Sequence, residues 1–72
     1  MIDTNKLRGR IIEKFGSARA FAEEICMNEA TLSRKLNNEL EFRYDEVIKI
    51  SEYLDIKPEE IGPYFYSRKR AT

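Results

Sequence analysis

Histidine is absent from this chain of 72 residues, cysteine occurs once, glycine three times and proline twice. Without a histidine, with one cysteine and with no glycine-rich loop to cradle a phosphate, no catalytic set of groups assembles. Ligands at metal-binding spacing are lacking too. The chain therefore reads as a non-enzyme that works without a cofactor or a small-molecule ligand. A single thiol makes no internal disulfide, which fits a reducing cytosol. No apolar run approaches the ~20 residues that span a bilayer. The first residues also lack the basic-then-apolar plan of a secretory signal. Together these absences predict a cytoplasmic protein without a membrane partner.

The chain also has no net charge, 13 basic side chains balancing 13 acidic ones. Affinity for nucleic acid comes largely from Lys and Arg that neutralise phosphates, so neutrality counts against a strong solitary DNA binder. The charges are slightly segregated. Residues 1–35 hold seven basic and five acidic side chains, and residues 36–72 hold six and eight, the basic ones ending in Arg68-Lys69-Arg70. Hydrophobic and charged contents of 42% and 36% describe one small globular domain. At this length it buries only ~60% of its unfolded surface.

Hydrophobic periodicity divides the chain into helices. Leu7, Ile11 and Phe15, widened by Ile12, predict a helix over residues 4–15, closed by Gly16. Ser17 is a good N-cap for a second helix at about 18–25, with Phe21, Ala22 and Ile25 facing inward. Cys26-Met27-Asn28 reads as a turn, with Asn28 capping a third helix that Asn37-Asn38 ends. Val47, Ile50 and Leu54 predict a fourth helix over about 44–54. Pro58 suits the first position of a short fifth helix, which Gly62-Pro63 is expected to stop. Four of these starts carry a hydrophobic staple: Ile2 with Leu7 around Asp3, Met27 with Leu32, Phe42 with Val47, and Ile56 with Ile61. Arg43 and Lys57 are poor caps by side chain, so there the staple is expected to do more of the fixing. Residues 1–66 read as one domain and residues 67–72 as a disordered basic tail.

The second and third helices have the lengths and spacing of a helix-turn-helix. If Leu32 and Leu36 point at the core, a 100° step per residue turns Ala30, Arg34 and Asn37 outward. Thr31 and Ser33 flank that face and Glu29 leads it. Small side chains let a helix approach a DNA groove, and an arginine can bond guanine O6 and N7 together. Asn28, Ser17 and Arg19 stand where backbone phosphates are met at helix N-termini, and Asn38 closes the candidate DNA-contacting set.

The stretch from Ala18 to Glu39, ARAFAEEICMNEATLSRKLNNE, resembles the Cro/CI-like (XRE) helix-turn-helix family of phage repressors. Ala22 falls where that family has a small residue between crossed helices, and Leu32 and Leu36 match its buried positions. KLRGRIIEKFGS before it and LDIKPEEIGPYF after it resemble small phage regulators over residues 3–66, above all the Cro-like modulator-of-repression, or antirepressor, proteins of temperate phages. The resemblance implies an all-α, five-helix, lambda-repressor-like fold. It implies action in a lysis–lysogeny switch, with double-stranded operator DNA and a CI-type repressor as partners, and a homodimer as one assembly. Two positions depart from the family. Cys26 stands where glycine is usual, and an L-residue in the left-handed region costs about 1–2 kcal/mol. Glu29 stands where a base-reading amide is frequent.

Blander readings stand beside these. Glu29 is equally a first-turn acid favoured by the helix dipole, Arg34 and Arg19 can be solvated, and Cys26 reads as a small buried hydrophobe. Lys35 lies toward the side of its helix and is expected to snorkel past the core edge. Tyr64, Phe65 and Tyr66 cannot all face one small core; they are candidates for a partner surface with Glu29 and Arg34, or two of them close the core. A toxin-binding, autoregulating antitoxin built on the same domain is the alternative function.

Overall fold

The computed structural model describes residues 2–68 and is all-helical. The helices are α1 (Asn5–Phe15), α2 (Ala18–Glu24), α3 (Glu29–Leu36), α4 (Tyr44–Tyr53) and α5 (Ile61–Phe65), with a 3-10 turn over Pro58–Glu60 leading into α5. Every helix contributes to one core. Leu7, Ile11, Phe21, Ile25, Leu32, Ile50 and Leu54 are each no more than 1% exposed. Phe15, Ala18, Met27, Phe42 and Ile61 close its edges. Both members of each expected staple are buried or half-buried. No helix among the described residues is long and apolar enough to cross a membrane.

Helix starts follow the local signals with two differences. Ser17 Oγ accepts from the Ala20 N–H at 3.1 Å, and Asn28 Oδ1 accepts from Ala30 and Thr31 at 2.8 and 3.3 Å. At α1 the cap is shared: Asp3 Oδ1 accepts from the Asn5 N–H at 3.0 Å, while Thr4 holds the N-cap position and turns its hydroxyl inward to donate to the Leu36 carbonyl at 2.7 Å. At Arg43 and Lys57 the staple has help that the sequence reading overlooked. Glu46 and Glu60 reach back to accept the backbone N–H of Arg43 at 2.8 Å and of Lys57 at 3.2 Å. This is the glutamate half of a capping box, the half that needs no acceptor on the cap side chain. Gly62-Pro63 does not stop the last helix, contrary to expectation. The two residues lie in the first turn of α5, where proline's missing N–H has no intrahelical partner to lose.

Three helices end in one way. Past α2, α3 and α4 stand Cys26, Asn38 and Asp55, with φ of 57°, 64° and 54°. Beyond each, a backbone N–H reaches back to the third-last helical carbonyl: Met27 to Ala22 at 2.9 Å, Glu39 to Arg34 at 2.8 Å and Ile56 to Ser51 at 2.9 Å. This is the Schellman arrangement, whose left-handed residue is usually glycine. Asn and Asp tolerate that region; Cys does so at a cost. Cys26 is also exposed, which corrects its expected burial, because a side chain at this position points away from the helix it ends. Cys26→Gly should therefore stabilise the fold by about 1 kcal/mol, seen as a higher urea midpoint at unchanged slope. An unchanged midpoint would remove the strain argument.

Candidate nucleic-acid and protein interface

α2 and α3 are joined by residues 25–28 and pack against each other. On α3, Leu32, Lys35 and Leu36 are buried, while Glu29, Ala30, Ser33 and Arg34 are exposed and Thr31 is half-buried. The 100° construction thus places the exposed face where it was expected. Arg34 makes no ion pair among the described residues. Arg19 is exposed with its Nε 3.8 Å from Glu23, a loose surface pair of little energetic weight. Ser17 and Asn28 spend their side-chain oxygens on capping, which leaves the Asn28 Nδ2 donor for a ligand.

Two members of the set are tied up inside the molecule. Asn38 Oδ1 accepts from Ile2 N at 2.9 Å and its Nδ2 donates to Ile2 O at 2.8 Å. Both ends of that amide are engaged, so Asn38 clamps the N-terminal segment, with its second Nδ2 hydrogen left for an outside contact. Asn37 Oδ1 accepts from Arg8 Nη2, and its Nδ2 lies 3.5 Å from Ser33 Oγ. Arg8 Nε also reaches Thr4 Oγ1 at 3.3 Å. The start of α1 thereby holds the C-terminal end of α3 at the edge of the exposed face.

The C-terminal ends of α2 and α4 are met by cations as well. Lys49 Nζ donates to the Ile25 carbonyl at 2.7 Å and Arg10 Nε to the Leu54 carbonyl at 2.9 Å. Cations at these positions also favour the helix dipole. Lys35 does not snorkel outward as expected. It is 7% exposed and donates to the Glu41 carbonyl at 2.9 Å and to Glu46 at 2.7 Å. Burial pushes the Glu46 carboxyl up, but the bonds from Lys35 and the Arg43 N–H outweigh it and hold the group below its usual value of 4.5.

Of the aromatic run, Tyr64 and Phe65 are buried at 8% and 2% exposure. They belong to the core, and of the two only Phe65 shows an edge to a surface cleft. Phe65 stands edge-on to Phe42, with ring centroids 5.4 Å apart, and Lys6 lies over the Tyr64 ring at 4.7 Å. Tyr66 alone is open, at 55%. Ser67 and Arg68 were grouped with the tail. Here Ser67 O accepts from Asp3 N at 2.7 Å, and Arg68 pairs with Ile2 in an isolated antiparallel bridge. Lys69 and Arg70 lie outside the described residues.

The charge of the surface decides how it is read. The exposed charged side chains of α2 and α3 are Arg19, Arg34, Glu23, Glu24 and Glu29, two cations against three anions. A surface that binds DNA by itself runs the other way. Leu40, which the sequence reading did not single out, and Phe42, expected only as a staple partner of Val47, line a cleft where α3 ends. Their signal was a brief apolar alternation within the link to α4.

No curated protein sequence matches the chain. Among solved structures, the chain is similar to the modulator of repression (MOR) of the temperate bacteriophage TP901-1 from Lactococcus lactis, known from a solution structure. Identity is 35%, the match covers 90% of this chain and 88% of that one, and the TM-score is 0.81. Residues 1–68 match the family model described as "Protein of unknown function (DUF739)". The chain belongs to that family and is, in fold and over almost its whole length, a relative of a phage modulator of repression.

Proposed function

We propose that this chain is a modulator of repression in a temperate-phage lysis–lysogeny switch. In this reading it acts in the bacterial cytoplasm, as a binding protein and not an enzyme, by forming a complex with a CI-type repressor through its helix-turn-helix surface. The observation that carries the proposal is the likeness to the TP901-1 modulator at 35% identity across 90% of the chain. The charge pattern supports it. A repressor must present cations to DNA, and the excess of carboxylates on α2 and α3 suits such a surface by complementarity. The antitoxin alternative lacks an observation of comparable reach.

The test is size exclusion of the chain with the repressor of the same switch at micromolar concentration. One shared peak is expected, and two independent peaks would overturn the proposal. Glu29→Lys should weaken the complex, most clearly at low salt.

A second reading, direct operator binding as a homodimer, is favoured by Arg34 at the centre of the exposed face. There α3 enters the major groove and the two half-sites lie about one helical turn apart. Arg34→Ala should then cost about 1–3 kcal/mol of specific binding in a gel shift. Unchanged shifts would remove this mechanism. Footprinting with the chain, the repressor and both together separates the two readings.

A further inference from the structure

The cleft at the end of α3 has a volume of about 380 Å³, and its apolar wall is formed by Ile2, Leu40, Phe42, Phe65 and Tyr66. Leu40 and Tyr66 are 37% and 55% exposed beside it, a local concentration of open apolar surface of the kind that marks interaction sites. Its walls are fixed from several sides. The Asn38 amide holds Ile2, the Lys35 ammonium holds the Glu41 carbonyl, and Glu46 holds the Arg43 N–H. A preformed wall of this kind binds without the entropy cost of ordering a loop.

The charges around the cleft are polarised. Exposed Glu39 and Glu41 flank Leu40, and among the described residues neither carboxylate pairs with a Lys or Arg. Arg43, two residues on, is turned to Asp45 at 3.9 Å. Arg68 stands at the other end, against Ile2. An occupant that fits is therefore an apolar side chain carrying a Lys or Arg on its Glu39–Glu41 flank. Lys35 and Asn38, at the end of α3, also line the cleft, so it lies beside the helix-turn-helix.

We infer that this cleft is an anchoring site for a protein partner, taking one apolar side chain with a flanking basic residue from the repressor. The inference rests on the repressor-binding reading above and adds a second, apolar contact to it. The experiment measures binding of the full chain to the repressor of the same switch by calorimetry, for wild type, Leu40→Asp, Tyr66→Ala and the pair Glu39→Lys with Glu41→Lys. Circular dichroism melting checks each variant's fold.

Leu40→Asp should weaken binding by roughly tenfold or more, as loss of a buried anchor does, and Tyr66→Ala should weaken it severalfold. The double charge reversal should weaken it at low salt, with the gap narrowing as salt rises. Wild-type affinity in both folded Tyr66→Ala and the folded charge reversal would overturn the cleft while leaving repressor binding intact. A wild-type chain that fails to bind the repressor overturns both. Self-association of wild type in sedimentation, abolished by Leu40→Asp, would assign the cleft to a second copy and overturn the proposal.

Discussion

Phe65→Ala should cost about 3–5 kcal/mol of folding stability, enough to leave a domain of this size close to unfolding. Single domains hold only about 0.05–0.15 kcal/mol per residue. Phe65 is 2% exposed and meets Phe42 edge-on. Truncation therefore removes a large transfer term and leaves a void between α5 and the link into α4. The neighbouring Tyr66→Ala should change stability by no more than about 0.5 kcal/mol, as exposed positions do. Urea titration of both variants distinguishes the core residue from the surface one. Equal midpoints would show that the aromatic run is placed differently from the arrangement described.

Lys35→Ala should cost about 3 kcal/mol. Removing one member of a buried ion pair leaves the other without compensation. Here the remaining groups are the Glu46 carboxylate, with its side chain only 19% exposed, and the Glu41 carbonyl. Replacing both members with neutral groups, Lys35→Met with Glu46→Gln, should recover much of the loss. The amide still accepts the Arg43 N–H, and no charge is then buried. The pair also sets an acid limit. Glu46 titrates below 4.5 in the fold, so its contribution is complete above that value and is lost as pH falls through the lower folded one. Urea midpoints at neutral pH and near roughly pH 3 should therefore differ more for wild type than for Lys35→Ala. Identical acid sensitivity in the two would detach Glu46 from the stability of the fold.

What was legible in the sequence lies within about one helical turn of the residue concerned. Ser17 and Asn28 cap because their oxygens reach the next N–H groups of their own chain. The outward turn of Arg34 follows from Leu32 and Leu36 by helical geometry alone. The missed signals at Glu46 and Glu60 were equally local, since a glutamate three residues past a cap reaches back whatever the cap side chain is. Cys26 divides in two. Its left-handed backbone was foreseeable from a position that usually holds glycine, and its exposure was not.

The sequence by itself therefore determined the first four helices, the turn between α2 and α3, and the small polar face of α3, because backbone hydrogen bonding and side-chain periodicity are properties of neighbours. Only the tertiary structure decided which side chains that face keeps free. The Asn38 amide clamps Ile2, 36 residues away, and Arg8 holds Asn37 across 29. It likewise divided Tyr64 and Phe65 from Tyr66 and buried Lys35 against Glu46. Each of these outcomes depends on which distant group fills the space or supplies the missing acceptor, and no local pattern of caps, charges or apolar spacing encodes that.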